Sequence, residues 1–199
     1  MKIITVAHQK GGVGKTTLSL NLATCLKNTG LKIGILDTDL QGSLTDTSHT
    51  FQDISFVQYD ELQNLANMPY DILVIDTPPY LTNSLAELFS ISDYVLIPTT
   101  VGVYDVLAIR ATLAIVKEIQ KAKPSLKYGV VLNRVRSGTS LINDILNMLN
   151  SYEAVVHDTR IHERVSYARS ALTNGIFGSD DEKAQTEIFN LTKEIINAL

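Results

Sequence analysis

Residues 8–17, HQKGGVGKTT, set two lysines, Lys10 and Lys15, around Gly11, Gly12 and Gly14, with Thr16 and Thr17 directly after. Glycines allow backbone angles and close approaches that side chains forbid. Amide N–H groups can then converge on an anion, and where the turn opens a helix the positive end of the helix dipole adds to the attraction. The chemistry implied is phosphate binding, with Lys15 reaching the terminal phosphates and the Thr16 hydroxyl on a magnesium ion. The common loop G-x-x-x-x-G-K-[ST] has a glycine where this chain has Gln9. The segment fits instead the variant K-G-G-x-G-K-[ST]-T, in which a second lysine, Lys10, enters from the amino side.

Carboxylates sit where such a loop needs them. ILDTDLQGS at 35–43 closes an apolar run with Asp37 and Asp39, and YDILVIDTPP at 70–79 closes another with Asp76. In open α/β sheets, ligands lie beyond the carboxyl ends of the strands. All three side chains therefore project towards bound phosphates. Asp76 has the layout of a strand-end carboxylate that holds magnesium directly or through water. A lone strand-end aspartate caps a helix as readily; three beside a phosphate loop point to metal and phosphate chemistry.

In order and spacing, these motifs resemble the deviant-Walker ATPases of the ParA/MinD family, and within it the short ParA-type, ParF-like partition ATPases. The resemblance implies ATP and Mg2+ as cofactors, with the nucleotide held by Lys10, Gly11, Gly12, Val13, Gly14, Lys15, Thr16 and Thr17. It implies that Lys10 crosses a dimer interface to the partner's nucleotide, that Lys10, Lys15 and Asp39 take part in hydrolysis, Asp39 by positioning the attacking water, and that Asp37 joins Thr16 and Asp76 in the magnesium neighbourhood. It also implies that Asn133 and Arg134, in VVLNRVRSG at 130–138, contact the adenine. The family usually carries proline where this chain has Leu40, which leaves the loop's path open. Two ATP molecules face to face bring many negative charges together, and a cation lent by each partner offsets the repulsion.

HDTRIHERVSYARSAL at 157–172 carries Arg160, Arg164 and Arg169 in a stretch expected to be partly helical. Arginines at this spacing can line one side of a helix and bind phosphate backbones without reading sequence. The alternative is a solvated face with local pairs from Glu163 to Arg160 or Arg164. The resemblance implies non-specific DNA binding by an ATP-bound homodimer, hydrolysis stimulated by a centromere-binding ParB-type adaptor, and a cytoplasmic, nucleoid-associated protein. A MinD-like membrane-bound relative would end in a basic amphipathic helix, whereas TEIFNLTKEIINAL has one lysine against two glutamates. Other cargo-positioning ATPases share the same engine, and metabolic enzymes of the dethiobiotin synthetase type share the loop. Nitrogenase iron proteins need two cluster-binding cysteines; this chain has only Cys25.

The elements that must position these residues alternate. Short β-branched runs at 3–7, 33–36, 72–75, 94–97 and 128–132, with a weaker one at 54–58, are separated by helical spacing at 15–28, 82–90, 104–121, 139–150, 161–172 and 184–198. This predicts an α/β fold: a single-domain P-loop NTPase over residues 1–199, with a mainly parallel twisted sheet and helices on both faces. The first strand is expected from residue 2, so the helix-turn-helix extension of larger partition ATPases is not expected. Net charge of −4 gives no global pull on nucleic acid, and no apolar run approaches membrane-spanning length. Cys25 is expected in the core. His8, His49, His157 and His162 lack metal-ligand spacing and are expected to be solvated or locally bonded.

Overall fold

The computed structural model describes residues 1–38, 44–51, 53–80, 84–136, 138 and 141–199, with backbone only at 45–47, 60, 63 and 66. Seven strands form one sheet: β1 (Lys2–Val6), β2 (Ile33–Asp37), β3 (Ser55–Val57), β4 (Ile72–Asp76), β5 (Tyr94–Thr99), β6 (Lys127–Val135) and β7 (Val156–His162). Their order is β3-β2-β4-β1-β5-β6-β7 and every pairing is parallel. All strand carboxyl ends therefore share one edge, and β1, whose end feeds the glycine loop, lies between β4 and β5.

The strands are buried on both faces, so they read as continuous apolar runs rather than alternating ones. In β5, Tyr94 and Leu96 join the core beneath α1 (Lys15–Lys27) and α6 (Glu182–Ala198), while Val95 and Ile97 join the opposite core with α2 (Ser84–Ile91), α3 (Val103–Ala122) and α4 (Leu141–Ser151). This is the predicted layering. Cys25, as expected, is buried in the first core.

α1 is buried almost all round, which requires its polar side chains to be satisfied. Asn21 donates to the carbonyl of Thr17 (2.7 Å) and accepts from the Ile176 amide (2.6 Å). The helix ends at Lys27, and Gly30, with φ +89°, turns the chain out of it in a left-handed conformation suited to glycine.

One expectation fails. Residues 161–172 are not one helix: β7 runs to His162, α5 spans only Val165–Arg169, and a 3-10 turn follows at Ser170–Leu172. VHDTRIH hides its strand character because β7 is an edge strand with mixed burial, and acidic side chains from α6 rather than a further strand meet several of its amides.

Candidate functional site

The loop after β1 is shaped by a contact distant in sequence. Gly14 caps α1 with φ +92°, and a β-carbon there would lie 2.2 Å from the Asn133 amide nitrogen. That nitrogen donates to the Val13 carbonyl at 2.7 Å, so the end of β6 grips the loop where only glycine fits. Asn133 thus lines the cavity with its amide engaged by the loop, and its oxygen accepts from the Arg134 N–H at 2.9 Å. Arg134 has φ +54°, and its guanidinium reaches the Gly12 carbonyl at 3.2 Å.

Lys15 is buried, its ammonium 3.2 Å from the Lys10 carbonyl. One turn on, the hydroxyls of Thr16 (2.7 Å) and Ser19 (2.8 Å) donate to the two carboxylate oxygens of Asp76. Asp37 lies directly beside Asp76 in the β2–β4 register and accepts from the Leu44 amide at 3.1 Å. Burial pushes the Asp76 carboxyl up to about 7; the Asp37 charge adds to this, and the two hydroxyls and Lys15 oppose it. Two carboxylates and a threonine hydroxyl form an all-oxygen donor set of the hard type that magnesium prefers. Asp39, with Leu40, lies outside the described residues.

Lys10 points the other way. Its ammonium forms an ion pair with Asp105 in the first turn of α3, and Asp105 also accepts from the Thr100 hydroxyl. Desolvation would raise the Asp105 carboxyl, but these donors and the Lys10 charge hold it below its ordinary value. His8 completes the arrangement. It is 1% exposed, Nδ1 accepts from the Lys10 amide at 2.9 Å, and Nε2 is 3.2 Å from the Asp105 carbonyl. Since the amide can only donate, Nε2 carries the hydrogen and the ring is neutral. Burial and the neighbouring charges of Lys15 and Lys10 lower its pKa to about 4. Asp105 carries no motif signal in the sequence, and the role of His8 depends on this distant partner.

A cavity of about 720 Å³ opens beside the loop. Loop and α1 residues from Gly11 to Leu18 except Val13 line it, with Thr77 and Pro79 after β4, Asn133 and Arg134 of β6, and residues 161–165, 167 and 168; Lys10, Asp37, Asp76 and Asp105 are not part of its lining. Its volume lies within the usual range for a small-ligand site.

The three arginines do not form a helical stripe. Arg160 is exposed on β7 and Arg169 is exposed at the end of α5, whereas Arg164 turns inward to Glu187 (3.0 Å) and Asp181 (3.7 Å) and lines the cavity. The strand ending at His162 puts Arg160 on a different element from the others. Glu163 pairs with Arg134 and Arg136, not with Arg160 or Arg164. Among the described residues no cluster of histidine, cysteine and acidic side chains could hold a metal ion on its own, and no helix is long and apolar enough to cross a membrane.

The chain is 30% identical to the maintenance of carboxysome distribution protein A of Halothiobacillus neapolitanus, across 97% of this chain and 95% of that one. It is 26% identical to the sporulation initiation inhibitor protein Soj of Bacillus subtilis, across 76% and 79% respectively. Among solved structures, a Borrelia burgdorferi B31 protein bound to AMPPNP superposes with a TM-score of 0.78 at 22% identity, covering 100% of this chain and 99% of the other. The CobQ/CobB/MinD/ParA nucleotide binding domain matches residues 4–175. Sequence, fold and loop geometry agree on one family, and this chain belongs to it: the CobQ/CobB/MinD/ParA nucleotide-binding proteins.

Proposed function

We propose that the protein is a magnesium-dependent ATPase that dimerises around ATP, binds DNA without sequence preference, and hydrolyses its nucleotide when a partner protein stimulates it. Lys15 and the loop amides hold the triphosphate. Thr16, Asp37 and Asp76 hold magnesium, which neutralises phosphate charge when bound. Asp39 orients the attacking water. The adenine lies towards Asn133, Arg134 and the cavity-lining residues of the segment 161–168.

The observation that carries this reading is the position of Lys10. A lysine needed only by its own nucleotide would point into the cavity, yet this one is not part of the cavity lining and pairs instead with Asp105, with its side chain 47% exposed. In the same part of α3 as Asp105, Val103, Tyr104 and Leu107 are exposed, and Tyr80 is exposed after the cavity-lining Pro79. Exposed apolar side chains on the element that holds Lys10 suit a second copy of the chain closing over it. Closure would exchange the Lys10–Asp105 pair for a contact between Lys10 and the partner's triphosphate.

Light scattering with a slowly hydrolysed ATP analogue and magnesium tests this. A nucleotide-dependent dimer is expected, and a monomer at every nucleotide concentration contradicts the reading. Metabolic enzymes of the dethiobiotin synthetase type would instead respond to a small carboxylic substrate and not to DNA.

The cargo has two readings. The chromosome partitioning protein ParA of Caulobacter vibrioides among the relatives favours a DNA cargo, with a centromere-binding ParB-type adaptor as the stimulating partner. The similarity to a carboxysome distribution protein, extending over nearly all of both chains, favours a protein assembly positioned along the nucleoid. Both readings place the protein in the cytoplasm. Turnover measured with DNA plus each candidate adaptor separates them.

A further inference from the structure

β7 is the last strand of the sheet, so its outer edge has no strand partner. Two glutamates of α6, Glu187 and Glu194, meet it instead. Glu194 accepts from the amides of Asp158 (3.0 Å) and Thr159 (2.9 Å), and Glu187 from the amide of His162 (3.1 Å). Each also takes the Nδ1 hydrogen of a histidine, His157 at 2.8 Å and His162 at 2.9 Å. Seven residues apart, they lie two helical turns apart on one face of α6.

Beyond the strand their contacts diverge. Glu194 leads away from the cavity: His157 Nε2 meets the Tyr94 hydroxyl at 2.9 Å, and Gly129 leaves the room for that contact. Glu187 leads into the cavity wall. Its carboxylate also receives Arg164 (3.0 Å) and the Tyr167 hydroxyl (3.0 Å), and both residues line the cavity together with the phosphate loop. Asp181, at the start of the same helix, adds Ser166 at 2.6 Å. One largely buried carboxylate thus gathers four donors from residues 162–167, a stretch that shares the cavity with the loop. These donors outweigh desolvation and keep Glu187 ionised.

We propose that Glu187 is a positioning residue for the ligand: by fixing the wall from His162 to Tyr167, it sets affinity for the base and sugar half of the nucleotide, while the phosphate loop alone holds the triphosphate half. The inference rests on the ATP reading above. It also links the surface of α6 to occupancy of the site.

The test is calorimetry with two probes, ATP and inorganic tripolyphosphate, on the wild type, Glu187→Gln and Glu194→Gln. Loss of an orienting partner should weaken ATP binding by Glu187→Gln roughly tenfold and leave tripolyphosphate binding unchanged. Glu194→Gln, which loosens the same strand away from the cavity, should bind both probes as the wild type does. Equal losses for both probes, or equal ATP losses in both variants, would mean general loosening and overturn the proposal. Unchanged ATP affinity in Glu187→Gln overturns it too. A wild type that binds tripolyphosphate but not ATP removes the nucleotide reading itself, a distinguishable failure. Should Glu187→Gln not fold, hydrogen exchange on the wild type decides: ATP should slow exchange in residues 182–190 and not in 193–199, and no difference between the two halves of α6 refutes the link.

Discussion

Lys10 and Asp105, 95 residues apart in the chain, form an ion pair that joins the amino side of the phosphate loop to the first turn of α3. The pair occupies the cation that dimerisation would require. Each half-exposed pair is worth about 0.5–1 kcal/mol, and a symmetric closure breaks one in each copy, so it is opposed by about 1–2 kcal/mol in all. Asp105→Asn should let the ATP dimer form at a protein concentration roughly five- to thirtyfold lower. Analytical ultracentrifugation with an ATP analogue reads this directly, and a weaker dimer would mean that Asp105 serves the closed state instead.

The two lysines should separate in their effects. Lys15 is buried in the loop, and removing a buried charge that contacts phosphate costs about 2–5 kcal/mol. Lys15→Ala should therefore abolish measurable ATP binding in calorimetry. Lys10→Ala should retain binding to the monomer and lose both the dimer and hydrolysis. Normal dimerisation in that variant removes Lys10 from the interface.

Gly14→Ala meets two obstacles at once. The backbone is left-handed at φ +92°, and the new carbon would fall 2.2 Å from the Asn133 amide. The conformation alone costs about 1–2 kcal/mol. Displacing Asn133 also breaks its bond to the Val13 carbonyl, so stability in urea and nucleotide affinity should fall together. Adding Asn133→Ala relieves the clash and not the backbone strain, so it should restore stability only in part.

The strands and the loop are legible in the sequence because their signals are local. β-branched runs mark buried parallel strands, and the glycine spacing marks a turn whose shape depends on its own backbone. His8, Asp105 and Glu187 are not legible as parts of the site. Each matters through a partner between 20 and 97 residues away, and nothing in its neighbouring sequence records that partner. β7 is not read as a strand in the sequence, and its last two residues are read as helix, for a related reason: its edge amides are met by side chains from α6. Arg164 reads as a surface cation on that same helix, although its charge is directed at Glu187 and Asp181.

That correction changes what the arginines should do. Arg160 and Arg169 are exposed and, among the described residues, have no acidic partner, so both remain free to meet a phosphate backbone. Each phosphate contact contributes roughly 0.9 to the slope of log affinity against log salt. Arg160→Ala with Arg169→Ala should weaken DNA binding and flatten that slope by about 2. Arg164→Ala should leave the slope unchanged and reduce nucleotide affinity. The opposite pattern would place the DNA surface at the cavity rim.

His8 gives the fold a pH dependence whose sign is fixed by its burial. The unfolded side chain takes up a proton near pH 6.5, whereas the folded one does so only near 4, because desolvation and the charges of Lys15 and Lys10 oppose it. Between those values the unfolded state binds more protons, so stability is complete above about pH 6.5 and declines as pH falls towards 4. The full loss is about 3 kcal/mol, at roughly 1.4 kcal/mol for each pH unit that separates the two values. His157, whose pKa burial also lowers, acts in the same direction, so a comparison is needed to isolate His8. His8→Asn can still accept from the Lys10 amide but cannot titrate. Urea melts at about pH 5 and about pH 7.5 should show a smaller pH difference in the variant than in the wild type. An equal difference would mean that His8 does not stay neutral in the folded chain, which is incompatible with its Nδ1 accepting from the Lys10 amide.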